Sequence, residues 1–302
     1  MKEPLKAEVR EATASEPPIG RCAALADPRF ELLPLSEMRE AARRLPTGAR
    51  VTVTCSPRHG IDRTLEAAEW LAAAGFRAVP HLAARLIRNK SQLADIVSRL
   101  AAAGIEDAFV VGGDASEAAG EYTGGLALLE ALAAMPSRPS RLGVPAYPEG
   151  HPRLDDAVLQ RDLEAKARLA DYAVTQMCFE SAPLLAWLAA QRQRGLTLPV
   201  QAGIPGVMSQ ARLLSVAIRI GLGPSIRALG RHRTLIGRLL RPAPYRPDDL
   251  VRDLLPTLGS ADGFAGLHVY TFNQTDATCA WLEGLRATHC QNRDSAIAGQ
   301  RP

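Results

Sequence analysis

The sequence predicts a parallel (β/α)8 barrel of the TIM type: one α/β domain with an extra helical insertion before its last strand. Three observations carry that prediction. Short apolar runs alternate with longer segments of helical period along most of the 302 residues. Several runs are apolar throughout, as strands covered on both faces are. Seven of them end in a polar or ionisable residue. The first six, Glu31, Thr54, His81, Asp114, Tyr147 and Gln176, stand roughly 23 to 33 residues apart, the length of one strand, one helix and two loops. Tyr270 is the seventh. Parallel strands point their C-terminal ends the same way, so these residues would gather at one face, where barrel active sites lie. A doubly wound open sheet is the alternative, since strand order is not written in a sequence.

Residues 1–25 are polar, hold Pro17-Pro18 and show no sustained apolar period, so they read as a flexible arm ahead of a barrel over 26–287. The first strand falls near 29–33 and the first helix near 36–45. VTVT sets a strand at 50–55. The helix that follows, 62–74, places Thr64, Leu65, Ala68, Trp70, Leu71 and Ala72 at spacings of three and four, with Asp62 near its N-cap and Gly75 behind it. RAVPH gives a strand at 77–82, then a helix at 90–103 with Ser91 near its start and Gly104 after its end. AFVV marks a strand at 107–111 before a helix at 123–134. GVPA marks one at 141–146 before a helix at 155–170. AVT places the sixth strand at 172–176, with a helix at 181–194 closed by Gly195. Strand 198–203 leads to helix 209–220, and strand 264–270 to helix 274–286. Between Gly221 and about Pro256 the period breaks: GLGPSIRALGRHRTLIGRLLRPAPYRP reads as one or two inserted helices. The tail at 288–302 again reads as flexible.

Composition narrows the function classes. An apolar fraction of 47% with 23% charged residues suits a soluble globular chain. No run approaches the roughly 20 apolar residues of a membrane span, and no secretory h-region is present. The five cysteines, at 22, 55, 178, 279 and 290, lack metal-ligand spacing and read as free thiols in a reducing cytoplasm rather than as zinc ligands or disulfides. Ten arginines and no acidic residue lie between Glu180 and Asp248. They form either a solvated helical face or a wall that attracts an anionic ligand. Nucleic acid is disfavoured as a partner, because aromatic side chains do not interleave with the arginines. Nothing fixes the oligomeric state.

The strand-end residues carry the chemistry. Glu31 would be buried, which raises a carboxyl pKa and makes it a candidate general acid; its bland counterpart is a salt bridge to an arginine at the barrel mouth. Asp114 follows two glycines, which let backbone approach a flat ligand, or else it caps a short turn. His81 follows a proline, and His151 sits in a loop stiffened by Pro148 and Pro152. Gln176 needs partners for its amide, from ligand or from backbone. No Ser/His/Asp order, P-loop, HExxH or strand-linked GxGxxG is present, so a Rossmann site is not supported, and no metal site is expected.

FELLP at 30–34, VTVT at 51–54, PHL at 80–82, GGD at 112–114, YPEGHP at 147–152, VTQ at 174–176, PG at 205–206 and VYTFN at 269–273 stand at successive strand ends. In that order they resemble the methylenetetrahydrofolate reductase family, over about residues 29 to 286. The resemblance implies a barrel holding FAD, which takes hydride from NADH or NADPH and passes it to methylenetetrahydrofolate. It implies Glu31 as the acid that protonates folate N10, and Asp114 as the anion beside the resulting cation. Gln176 and Tyr270 would contact folate. Thr54, His81, Gly113, Tyr122, Tyr147, His151 and Lys166 would hold the flavin and its phosphates. The chain departs from the family where Gly112 replaces an arginine, where only Lys166 answers a lysine-rich stretch, and where no aromatic follows Ile204-Pro205-Gly206. A flavin-free NADH-dependent enzyme, a tetrahydrofolate-dependent methyltransferase or demethylase, and a non-catalytic subunit are the competing readings.

Overall fold

A computed structural model describes residues 19–219 and 243–290. Eight parallel strands close into a barrel in sequence order: β1 (Arg29–Leu32), β2 (Arg50–Val53), β3 (Arg77–Ala83), β4 (Asp107–Val111), β5 (Arg141–Ala146), β6 (Tyr172–Thr175), β7 (Val200–Pro205) and β8 (Gly266–Tyr270). Closure comes from β1 pairing β8, with Arg29 opposite His268, Phe30 opposite Val269 and Glu31 opposite Tyr270. The open-sheet alternative is thereby excluded.

The helices are α1 (Arg21–Ala26), α2 (Met38–Arg43), α3 (Gly60–Ala73), α4 (Lys90–Ala102), α5 (Gly125–Ala133), α6 (Asp156–Lys166), α7 (Ser181–Gln193), α8 (Gln210–Arg219), α9 (Asp248–Leu254) and α10 (Thr275–Cys290). In α3, Ile61, Thr64, Leu65, Ala68 and Leu71 turn inward at the expected spacing. Asn89 caps α4, two residues before Ser91, its side chain accepting from the Gln92 N–H at 2.9 Å. Gly75, Gly104 and Gly195 end α3, α4 and α7 in left-handed conformation, as a C′ glycine does.

Alternation along the strands splits the core. Outward residues such as Val51, Val53, Val110, Val144, Ile204 and Val269 pack under the helices, whereas Val79, Phe109, Tyr172 and Val174 form a separate cluster inside the barrel. Two lumen glycines make room for aromatic rings. A Cβ on Gly143 would lie 2.3 Å from the Tyr172 ring, and one on Gly203 would lie 2.1 Å from the Thr175 carbonyl and 3.0 Å from the Tyr270 ring.

Three expectations need correction or limits. The stretch read as an arm to residue 25 contains α1, which buries Ala24 and Leu25. Six residues with no side-chain cap give too little periodic signal to be seen in a sequence. The helix α10 runs to Cys290, into the stretch read as a tail, and Cys22 is disulfide-bonded to Cys290, so two of the five thiols are not free. That pairing removes the thiol argument for a reducing compartment. Of the insertion expected between Gly221 and about Pro256, the structure shows α9, whereas residues 220–242, with the arginines 227, 231, 233, 238 and 241, lie outside the described residues.

Candidate active site

The C-terminal ends of the strands gather most of the chosen side chains, in two groups. The inner group lies in the lumen. The Glu31 side chain is 12% exposed, and its Oε2 meets His268 Nε2 at 3.3 Å and His81 Nε2 at 3.6 Å. Two histidines therefore stand where an arginine salt bridge was the bland expectation. Burial pushes the Glu31 carboxyl up to about 7, against a smaller opposing pull from His81. Burial likewise lowers His81 to about 4 and His268 to about 3, so both rings are neutral near pH 7. Nδ1 of His268 is buried without a hydrogen-bond partner among the described residues. Tyr270 leans over Gly203 to donate to the Thr175 carbonyl at 3.0 Å, and burial lifts its hydroxyl well above the ordinary value. It is a neutral donor at any working pH.

His268 was missed in the sequence, although the signal was there. In LHVY it precedes Tyr270 by two, so strand alternation puts both on the lumen face.

The second group stands at the rim. Asp114 is 87% exposed, with Arg153 Nη2 at 3.9 Å. Tyr147 and His151 pack edge to face with ring centroids 5.2 Å apart. The Tyr147 hydroxyl is pushed up to about 12 by burial and then by the charges of Asp162 and Asp114. His151 is lowered by burial and by Arg153, with Asp114 opposing. Gln176 is exposed at the end of β6. Thr54 is half-buried at the end of β2, its carbonyl accepting from the Thr64 hydroxyl at 3.0 Å.

The loop after β4 completes the rim. Gly113 has φ +89°, and a Cβ there would come 3.1 Å from that of Ala83. Tyr122 is buried, and its hydroxyl has no hydrogen-bond partner among the described residues. Lys166 is buried and paired with Asp162, its ammonium lying against Gly125 at the start of α5. Where the family arginine is absent, Arg85 braces this loop instead. Its backbone N–H donates to the Gly112 carbonyl at 3.1 Å, and its guanidinium to those of Ala115 at 2.9 Å and Thr123 at 3.0 Å.

The aromatic missing after Ile204-Pro205-Gly206 arrives from elsewhere in the chain. Met208 pairs with Tyr245 through two backbone hydrogen bonds of 3.2 and 2.9 Å. Tyr245, Phe179, Met177 and Met208 pack as an apolar wall against Tyr270 and Phe272. Phe272 and Asn273 both have positive φ, 49° and 63°. The Asn273 amide holds this strained turn to β1, accepting from the Leu33 N–H at 2.9 Å and donating to its carbonyl at 3.1 Å. Among the described residues no group of three His, Cys, Asp or Glu has metal-binding geometry.

The sequence profile of the family "Methylenetetrahydrofolate reductase" matches residues 28–220, a stretch that includes Glu31 and Asp114 but ends before β8. Methylenetetrahydrofolate reductase 2 of Saccharomyces cerevisiae is 29% identical over 157 residues, 48% of this chain and 24% of that protein's length. Among solved structures, a Yersinia pestis DHPS with a pterine-sulfa conjugate shares 15% identity over 87% of this chain and 95% of its own, with a TM-score of 0.44. The triosephosphate isomerase of Bartonella henselae shares 14% over 63% of this chain and 87% of its own, with a TM-score of 0.39.

Proposed function

This chain belongs to the methylenetetrahydrofolate reductase family, and on that premise we propose that it reduces 5,10-methylenetetrahydrofolate to 5-methyltetrahydrofolate with NADH or NADPH, through bound FAD. The observation that carries the proposal is the Glu31 carboxyl, buried between two neutral histidines and raised to about 7. A carboxyl with that value is protonated often enough near neutral pH to give a proton to folate N10 as the imidazolidine ring opens. Asp114 has the opposite surroundings: exposed, it is an anion at the rim, suited to stabilising the iminium cation that opening creates. Gln176 supplies an amide donor and Tyr270, its proton held by the Thr175 carbonyl, an acceptor oxygen that together orient the pterin, and the apolar wall around Tyr245 and Phe179 keeps water from the cation.

The residues present fit FAD. The buried Tyr122 hydroxyl lacks a hydrogen-bond partner among the described residues, Gly113 offers bare backbone, and Gly124, the N-cap of α5, has no side chain to cap the first turn. Thr54, His81, Tyr147 and His151 would line the ring system, with Lys166 under the phosphate end. Bound FAD would supply the two-electron relay between nicotinamide and folate.

Purified protein should carry a visible flavin absorption band and oxidise NADH or NADPH in response to methylenetetrahydrofolate. Colourless protein with the same turnover would replace the flavin step with direct hydride transfer. Nucleotide oxidation indifferent to folate would overturn the proposal.

A further inference from the structure

We propose that the N-terminal pole of the barrel, opposite the active face, holds a binding site for a phosphate-type oxyanion. β1, β2, β3 and β5 each begin with an arginine, and β4 begins with Asp107. Arg29, Arg50 and Arg141 turn into a cavity of about 180 Å³, and the end of α7 adds Arg192. Asp27 is the carboxylate in its wall. The volume is far above the roughly 15 Å³ one water needs, and it accommodates a tetrahedral oxyanion.

The cavity lining holds four arginines and one carboxylate, Asp27. Asp107 is shared by Arg29 at 3.2 Å and Arg50 at 3.6 Å, while Asp27 is shared by Arg50 at 3.5 Å and Arg77. Three guanidiniums thus divide two carboxylates, and Asp107 also accepts from the Tyr172 hydroxyl at 2.8 Å. Arg192 donates to the neutral carbonyls of Leu196, Leu198 and Asp262, the last an exposed residue whose charge also reaches it. Arg29 is 2% exposed and lies over the Tyr172 ring, 3.9 Å from its centroid, so bulk water cannot screen its charge. Burial and then the Arg29 charge lower Arg50, against the opposing pull of Asp107 and Asp27. Planar guanidinium forks from several strands suit the oxygens of phosphate better than a single carboxylate. The cavity opens to solvent beside Ile19 and Asp27, 52% and 45% exposed.

The test is calorimetric titration of the full chain with inorganic phosphate at constant ionic strength. One saturable site is expected. Arg50→Gln should weaken it about tenfold or more, the scale of one charge-assisted hydrogen-bonded pair. Asp27→Asn should tighten it, because the variant releases two guanidiniums from a competing anion. Asp27 is surface-exposed, so this arm stands even where Arg50→Gln does not fold. Glycerol phosphate, titrated alongside, tells an esterified source from free phosphate by which binds tighter. A heat signal that never saturates, or an affinity that neither substitution moves, would overturn the proposal.

Discussion

Replacing Glu31 by Gln removes one ionisation from the lumen and leaves the shape nearly unchanged. In the folded chain the carboxyl titrates at about 7 instead of its ordinary 4.5. At 1.36 kcal/mol per pKa unit, burying the charged form costs about 3 kcal/mol. The sign follows from proton counts. Below pH 4.5 both states hold the proton and nothing is lost. Between 4.5 and 7 only the folded chain holds it, so stability falls as pH rises, and above 7 the full cost is present. An amide in the same place carries no such cost. Glu31→Gln should therefore gain about 3 kcal/mol on wild type between pH 4.5 and pH 8, which for a chain of this size widens the Tm difference by about 5 to 10 °C. Calorimetric melting of both proteins at the two pH values measures it. The same variant should lose folate reduction by about 10² to 10⁴-fold and keep nucleotide oxidation with a quinone acceptor. A Tm difference independent of pH would refute the buried, raised carboxyl and the acid role built on it.

Asp114→Asn should leave Tm unchanged, since the side chain is 87% exposed, and should cut folate reduction by about 10²-fold; loss of activity together with stability would make the residue structural. Gly203→Ala should cost about 1 to 3 kcal/mol in denaturant midpoint, because its Cβ meets the Thr175 carbonyl at 2.1 Å and displaces Tyr270. Gly284→Ala, inside α10 with nothing within 4 Å, should stabilise by about 0.5 to 1 kcal/mol, and equal effects at the two glycines would contradict the lumen packing. Cys22→Ser should lower stability by at most about 6 kcal/mol, the loop-entropy figure for cysteines 268 residues apart, and reductant should do the same to wild type but nothing to the variant.

The barrel was legible because its strands are short apolar runs repeated at one period, and each of the eight lies within two or three residues of its expected place. Glu31, His81, Asp114, Tyr147 and Tyr270 could be chosen because parallel strands turn sequence ends into spatial neighbours. What stayed hidden depends on pairings that no period encodes. Tyr245 reaches the mouth from an irregular segment, through a bridge to Met208. Cys22 and Cys290 meet only because α1 and α10 pack together. The arginines that open β1, β2, β3 and β5 read singly as polar strand edges, and only closure of the barrel draws Arg29, Arg50 and Arg141 around one cavity.

The meeting of β1 with β8 also sets a time order. Glu31 and His268 are separated by 237 residues, and Tyr270 lies beyond that, so Glu31 acquires these neighbours only when the last strand has been synthesised. At about 5 to 20 residues per second, Glu31 waits roughly 10 to 50 s on the ribosome before its partners exist. A nascent chain lacking β8 therefore has the rim residues but not the His268 and Tyr270 that enclose Glu31, and the lumen group forms in a single step once β8 is added.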